Sequence, residues 1–401
     1  MHAGWRVRVC GVEEISARDI AAWEDLERRA AEPNAFLSPH FAVPALRHLE
    51  AKGAVQVVLV ERTPGGCPEL AGVGLFRRAL ASKRFPVPHL AAHRTRHSFL
   101  GGMLVDANHI DATLDAMLEH VNRWVPAVGG LKFPGAWADG ALASSLTRHA
   151  GKTWIFADDL ESQRPVLKLS DATSICSGAD FRRRTKGWSR RWKRLQEAGT
   201  VSTRVYRAGT IPEEVIETFL DLEHRGWKGA EGSSLRANQA DESFFRETVA
   251  NFARHERALF TQLLLDGTPI ASTSNFIAGS WAFAFKIGWD PRYRQFSPGT
   301  LCELELMRCA ESALPDVHVF DSCTDVRSYV AELWPDRRTV GTLAVSTTPV
   351  AQAAVESAAK MRTVKRLYSE NIGIQVAATH AARPDWFGAA TESVATIATL
   401  L

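Results

Sequence analysis

The residues best placed to do chemistry fall in three stretches. The first is Arg292-Tyr293-Arg294-Gln295-Phe296-Ser297-Pro298-Gly299-Thr300, a basic, aromatic loop that runs into small residues. Beyond it, Leu301, Leu304, Met307, Cys309 and Leu314 recur at helical spacing, so the small residues open a helix. Unpaired N–H groups and the dipole at a helix start favour a phosphate. Pro298 is compatible there, because its missing N–H would have had no partner. The same residues also read as an ordinary capped helix with Ser297 as N-cap.

The second stretch is a basic helix over 180–199, which carries Arg182, Arg183, Arg184, Lys186, Arg190, Arg191, Lys193 and Arg194. Phe181, Trp188, Trp192 and Leu195 form its apolar stripe. A solvated face is the ordinary meaning of a charge run. Here no acidic residue lies between Arg182 and Arg194, so the charges cannot neutralise one another and an anionic partner is a fair reading. The third stretch is Arg225-Gly226-Trp227-Lys228-Gly229-Ala230-Glu231-Gly232-Ser233-Ser234, a glycine-rich loop with an aromatic and a cation. Such loops often serve a site. It reads equally as a helix end with a glycine stop.

Other chemistries find little support. There is no Ser-His-Asp arrangement, nucleophilic cysteine motif or metal-ligand set. Six scattered cysteines make no C-x-x-C pair and fit a reducing cytoplasm. Cys302 and Cys309 share a helix face and read as packing. His89, His93 and His97 recur at spacing four, but upstream prolines and absent carboxylates argue for surface or cleft-lining histidines. The net charge of +3 is too small to mark a DNA-binding protein. No signal peptide and no membrane-spanning apolar run is visible.

The elements that must position these residues can be read from periodicity and turns. Leu259–Leu265, Pro269–Ile277 and Trp281–Trp289 are successive strands joined by turns at Asp266-Gly267 and Gly279-Ser280. The phosphate-type loop and its helix follow, then a strand Val317–Phe320 ending at Asp321, a helix Val326–Leu333 with Tyr329, and a last strand Val340–Ser346. In the first half, a strand at Val7–Val12 precedes a helix over 14–31 that Ser16 and Asp19 cap. A helix His40–Lys52 and strands Val55–Val60 and Glu69–Phe76 come next. Lys83–Arg96 is irregular, and Phe99–Val105 is extended. A helix, strand, helix and strand follow over 111–157. The first half thus has the element order of the second, which points to domain duplication. Pro165–Leu169 links the halves, and Pro349–Ser369 is a terminal helix.

This combination resembles the FemAB/CelD-like branch of the GNAT acyltransferase superfamily. The pyrophosphate loop of that superfamily is matched by Arg294-Gln295-Phe296-Ser297-Pro298-Gly299, with Ser297 in place of the first glycine. Asn34-Ala35-Phe36-Leu37-Ser38-Pro39 and Leu222-Glu223-His224-Arg225-Gly226-Trp227-Lys228-Gly229 look like motifs of the same branch. The resemblance implies an α/β (α+β) fold of two tandem GNAT-like domains, each a mixed, mostly antiparallel sheet flanked by helices. The expected division is 1–164, with no CoA site because Val105-Asp106-Ala107-Asn108 lacks the glycine; 165–348, with the CoA site; and 349–401, a helix and tail.

The function implied is transfer of an acyl group, an acetyl group first among them, from an acyl-CoA co-substrate to an amine or hydroxyl. The acceptor would be an anionic or sugar-containing small molecule of cell-envelope or polysaccharide synthesis, with peripheral contact to membrane-linked glycan precursors. Arg294, Ser297, Pro298, Gly299, Thr300 and Leu301 would hold the donor, and the strand backbone at Lys286 and Ile287 its thioester. Asp321 is the first candidate base, followed by Glu223, His224 and Asp290, and Tyr329 would protonate the leaving thiolate. Trp227, Lys228, Asp290 and Tyr293 would meet the acceptor. Two alternatives stay open: an aminoacyl-tRNA-dependent ligase of FemAB type, and a non-catalytic binding component of a polysaccharide machine. Val330 stands where the FemAB-like pattern often has lysine, which counts against a lysine-dependent tRNA mechanism.

Overall fold

Apolar alternation and short turns build most of this chain, whose structure is a computed structural model describing residues 4–83, 85–125, 127–149, 153–156, 162–358 and 360–361. In the first half the elements are β1 (Trp5–Cys10), α1 (Ala17–Arg29), α2 (Pro39–Leu49), β2 (Gln56–Arg62), β3 (Glu69–Ala79), β4 (His89–Ala92), β5 (Leu104–Val105), α3 (Ile110–Trp124), β6 (Gly130–Trp137), α4 (Ala141–His149), β7 (Thr153–Phe156) and β8 (Ser162–Lys168). The second half has α5 (Leu169–Ser177), α6 (Ala179–Arg184), α7 (Lys186–Ala198), β9 (Val201–Tyr206), α8 (Glu213–Arg225), α9 (Trp227–Ala230), α10 (Gln239–Ala253), β10 (Ala258–Leu265), β11 (Thr268–Ala278), β12 (Trp281–Trp289), α11 (Pro298–Ala313), β13 (Val319–Asp321), α12 (Val330–Leu333) and β14 (Asp336–Ser346). Residues 349–358 are helical, and the rest of the expected tail lies outside the described residues.

Local chemistry explains the best-defined joints. Ser16 accepts from the Asp19 amide and Asp19 accepts from the Ser16 amide, the reciprocal box that starts α1. Asp266 and Gly267 both have positive φ, as a two-residue hairpin turn requires. The 180–199 segment departs from the single helix expected, because Thr185 breaks it into α6 and α7. The expected helix 326–333 is only α12, with Tyr329 as its N-cap. The 83–96 segment is not wholly irregular but holds β4. There the histidines are buried with separate partners: His89 with the Val87 carbonyl, His93 with Glu50 and His97 with Asp241.

One fourteen-stranded sheet runs β1-β2-β3-β4-β6-β14-β8-β13-β12-β11-β10-β9, with β5 beside β3 and β7 beside β14. Pairing is antiparallel except for β4 with β6 and β12 with β13. These parallel pairs occupy matching places in the two halves. The halves are woven together: β14 of the second pairs with β6 and β7 of the first, and β8 lies between β14 and β13. β8 also spans residues 164 and 165, where the division of the chain was expected.

A band of rings fills the join. Phe36, Phe41 and Phe99 from the first half pack among Phe244, Phe276, Phe283 and Phe285, mostly edge to face. Burying each such ring stabilises by about 1.5–3 kcal/mol, so the halves share one hydrophobic core. Among the described residues no helix is long and apolar enough to cross a membrane.

Candidate active site

β12 and β13 are paired only from Trp281 to Phe283 opposite Val319 to Asp321. Among the described residues no strand lies against the edge of β12 beyond Phe283, so the ladder on that side ends there. The split holds a cavity of about 240 Å³. Ala284–Ile287 form one wall and Ser322–Thr324 the other. Glu303 and Tyr329 line it as well, and Phe99 reaches it from the first half.

A bulge shapes the β12 wall. Ser274 stands opposite Lys286 and Asn275 opposite Ala284, so Phe285 is the extra residue. Side-chain phase shifts there: Phe283 and Phe285 enter the aromatic core, and Lys286 also turns toward α8, its Nζ 4.0 Å from Glu223. Ile287 and Trp289 take the opposite face, under Gly299. A Cβ on Gly299 would lie 3.0 Å from Ile287 and 3.3 Å from Trp289, so α11 begins in close contact with the strand. On the other face, a Cβ on Gly288 would lie 2.4 Å from the Glu223 amide nitrogen, so the α8 backbone rests directly on β12.

The start of α11 has no side-chain cap where the sequence points to a phosphate. Ser297 is left-handed (φ 54°) and its side chain makes no cap hydrogen bond. Its Oγ instead accepts from Arg191 Nη1 at 2.9 Å, so the basic helix α7 docks on this loop. The Gly299 and Thr300 amides lie in the first turn, where a helix offers no acceptor of its own. Arg194 stands 5.9 Å over the Phe296 ring, and exposed Arg294 adds a third cation.

The other expected site residues divide. Asp321 is fully buried, held by Arg164 Nη1 at 3.2 Å and by the Cys323 amide at 2.8 Å. Burial lowers the basicity of the Arg164 guanidinium, but Asp321 more than offsets it and raises it overall. Asp290 caps the turn at 291–296 through the Arg292 amide and is ion-paired with Arg292 and Arg225. Its bond from Arg292 holds the carboxyl below the usual carboxylate range. Tyr293 packs on the core that α11 covers.

Glu223 organises the third stretch. One oxygen accepts from the Leu235 amide at 2.8 Å, while the other is 3.3 Å from Lys228 Nζ. Lys228 also donates to the Ile287 carbonyl at 3.1 Å. The segment expected as a flexible loop is therefore tied down, with α9 starting at Trp227 and the Ser233 amide bonded to the Lys228 carbonyl. Gly229 fits this tight path: a Cβ there would lie 1.8 Å from the His224 carbonyl oxygen. His224 itself is exposed and pairs through Nδ1 with Ser234 Oγ at 2.8 Å.

Glu303 is a functional candidate that sequence reasoning missed. Burial pushes its carboxyl up to about 7, inside the cavity. Burial and then the Glu303 charge raise the Tyr329 phenol well above its ordinary value, so it stays protonated. Lys286 moves the other way, brought down to about 8 by burial and next by Lys228. A signal existed for Glu303: it is a lone carboxylate on the stripe shared by Thr300, Leu304 and Met307.

The corresponding split in the first half is filled. A Cβ on Gly135 would lie 1.9 Å from Arg94 Nη1, and one on Gly101 2.1 Å from the Pro134 carbonyl oxygen. Before α3 the Asp106 carboxylate accepts from the Asn108 amide and pairs with Arg29, so an internal ion pair already occupies that place.

Residues 182–329 match the family described as acetyltransferase (GNAT) domain. Solved structures share the fold of nearly the whole chain. FemX matches at 11% identity and a TM-score of 0.53, with 84% of this chain and 98% of FemX covered. L-PGS from Bacillus licheniformis matches at 12% and 0.50, covering 86% and 96%. A conserved protein of unknown function from Bacteroides thetaiotaomicron matches at 12% and 0.53, covering 83% and 98%. The chain has the FemAB-like GNAT fold. No protein of curated function matches its sequence. The GNAT match begins with the arginines of α6, spans the β12–β13 split and ends at Tyr329, so it contains the whole cavity wall except Phe99, Val330 and Trp334.

Proposed function

We propose that this protein transfers an acyl group, acetyl in the first instance, from acyl-CoA to an amine or hydroxyl of a sugar or cell-envelope precursor. The observation that carries the reading is the split between β12 and β13, where a cavity is walled by β12, by the residues after β13 and by Glu303 of α11. Its donor end fits a pyrophosphate: the Gly299 and Thr300 amides, Arg191 and Arg294 supply donors and positive charge without a bulky side chain at Gly299.

In this reading the acceptor attacks the thioester carbonyl from the α8 side, where Lys228 and Lys286 stand near the buried Glu223. Open backbone at the Phe285 bulge stabilises the oxyanion. Glu303, with a carboxyl near 7, takes the acceptor proton, and Tyr329 gives its proton to the leaving thiolate. Asp321, committed to Arg164, holds the β13 wall in place. The filled first-half split supports one donor site per chain.

An aminoacyl-tRNA donor is favoured by one observation: Arg190 and Lys193 stand exposed on α7, the helix that docks on the donor end through Arg191. Calorimetry on the full chain separates the two. Saturable acetyl-CoA binding that is lost in Gly299→Glu is expected. Tight binding of aminoacylated tRNA with no heat from acetyl-CoA would overturn the CoA reading.

A further inference from the structure

Outside the lining of the cavity, three elements meet where the halves join. Glu24 comes from α1, His40 from the start of α2 and His255 from just beyond α10. Their ligand atoms all lie within 4.8 Å of one another. His40 Nε2 is 3.5 Å from Glu24 Oε1, and His255 Nε2 is 4.0 Å from the same oxygen. The two imidazoles are 4.6 Å apart between ring centres.

His40 gives the cluster its direction. It is only 7% exposed, its ring is wedged edge-on against Phe252, and its Nε2 has no hydrogen-bond partner. A buried imidazole nitrogen without a partner loses hydration and gains nothing in return. It points at a carboxylate that stands too far away for a good hydrogen bond. The three groups open onto a separate cavity of about 300 Å³, large enough for an ion and its water.

We propose that Glu24, His40 and His255 form a site for a borderline divalent metal ion, Zn2+ foremost, which fastens the first half to the second. Two imidazoles and one carboxylate, with water in the fourth position, are a common zinc donor set. Metal–ligand bonds of about 2.0–2.1 Å imply ligand atoms roughly 3.3 Å apart in a tetrahedral site. The two separations from Glu24 exceed this by under an ångström, and with all three ligand atoms within 4.8 Å of one another closure needs at most about 1.5 Å of movement. The movable members are the more exposed ones, His255 at 44% and Glu24 at 26%, while the buried His40 is the fixed point.

Nearby cations do not exclude the ion, because most are already engaged. Arg257 is paired with Glu27, Arg207 with Asp316 and Arg28 with Asp25, while Arg254 bonds Asn251. Among the described residues the ion-pair partners of Glu24 are the two histidines.

The test uses untagged full-length protein stripped with a chelator. Zn2+ is titrated by calorimetry, and thermal unfolding is followed with and without it. One Zn2+ per chain and a raised Tm are expected. His255→Ala, at an exposed side chain, and Glu24→Gln, at a half-buried one, are expected to weaken binding at least tenfold and abolish the rise. Cys67→Ser, which removes an exposed thiol, is expected to bind like the parent. Absence of binding by the parent overturns the site, as does unchanged binding in both the His255 and Glu24 variants.

Discussion

Arg191 Nη1 donates to Ser297 Oγ at 2.9 Å, so a cation of the basic helix is fixed on the turn that starts α11. The hydroxyl that would have capped the helix is turned away from it, and the first-turn amides stay free. If these amides hold a donor phosphate, Arg191→Ala is expected to raise the KM for acetyl-CoA roughly 10- to 150-fold, the equivalent of one charged hydrogen bond of about 1.5–3 kcal/mol. kcat should hold, and added salt should weaken donor binding less in the variant than in the parent. An unchanged KM would detach α7 from the donor.

Gly299 offers a graded test. Its would-be Cβ meets only side-chain ends of Ile287 and Trp289. Gly299→Ala is expected to keep the fold and most binding, while Gly299→Glu sets a negative charge against the phosphates and removes binding. Calorimetry with acetyl-CoA, alongside circular dichroism to check folding, reads both.

Glu303 links rate and stability to pH. Its folded pKa, about 7, lies above the ordinary 4.5, so the folded state holds the proton more tightly. The associated stability is complete below about pH 4.5 and is lost as pH rises through 7. At 1.36 kcal/mol per unit, the loss is roughly 3 kcal/mol. Glu303→Gln is expected to unfold at higher urea than the parent at pH 8, with the advantage gone at pH 4. As a base, Glu303 should also give a rate that rises through pH 7, a limb that Glu303→Gln loses. A parent profile flat between pH 6 and 8 would remove Glu303 from the chemistry.

The buried pair Arg164–Asp321 holds the β13 wall. Asp321→Asn strands Arg164 and is expected to cost about 3–5 kcal/mol, whereas Arg164→Met with Asp321→Asn together should cost less than the sum of the single changes. Urea midpoints for the three variants decide this.

What the sequence could reveal follows from how local each cause is. The Asp266-Gly267 turn and the Ser16–Asp19 box are complete within a few residues, and both are read directly. β4 was hidden because Pro86 and Pro88 precede it and its partners, β3 and β6, are remote in sequence. Ser297 was recognised at the right place with the wrong partner, since Arg191 lies 106 residues away. Asp321 looked available until Arg164 arrived from β8. Glu303 was obscured by its leucine-rich neighbours, although burial of a lone carboxylate is what makes it chemically interesting.

The pairing of β14 with β6 and β7 has a bearing on how the chain is made. On a ribosome, the first half emerges with the open edge of β6 waiting for a strand about two hundred residues downstream. Until then that edge is a template for any passing strand. A nascent chain halted before residue 336 therefore carries an unfinished sheet, and the step that closes it couples completion of the second half to solubility of the first.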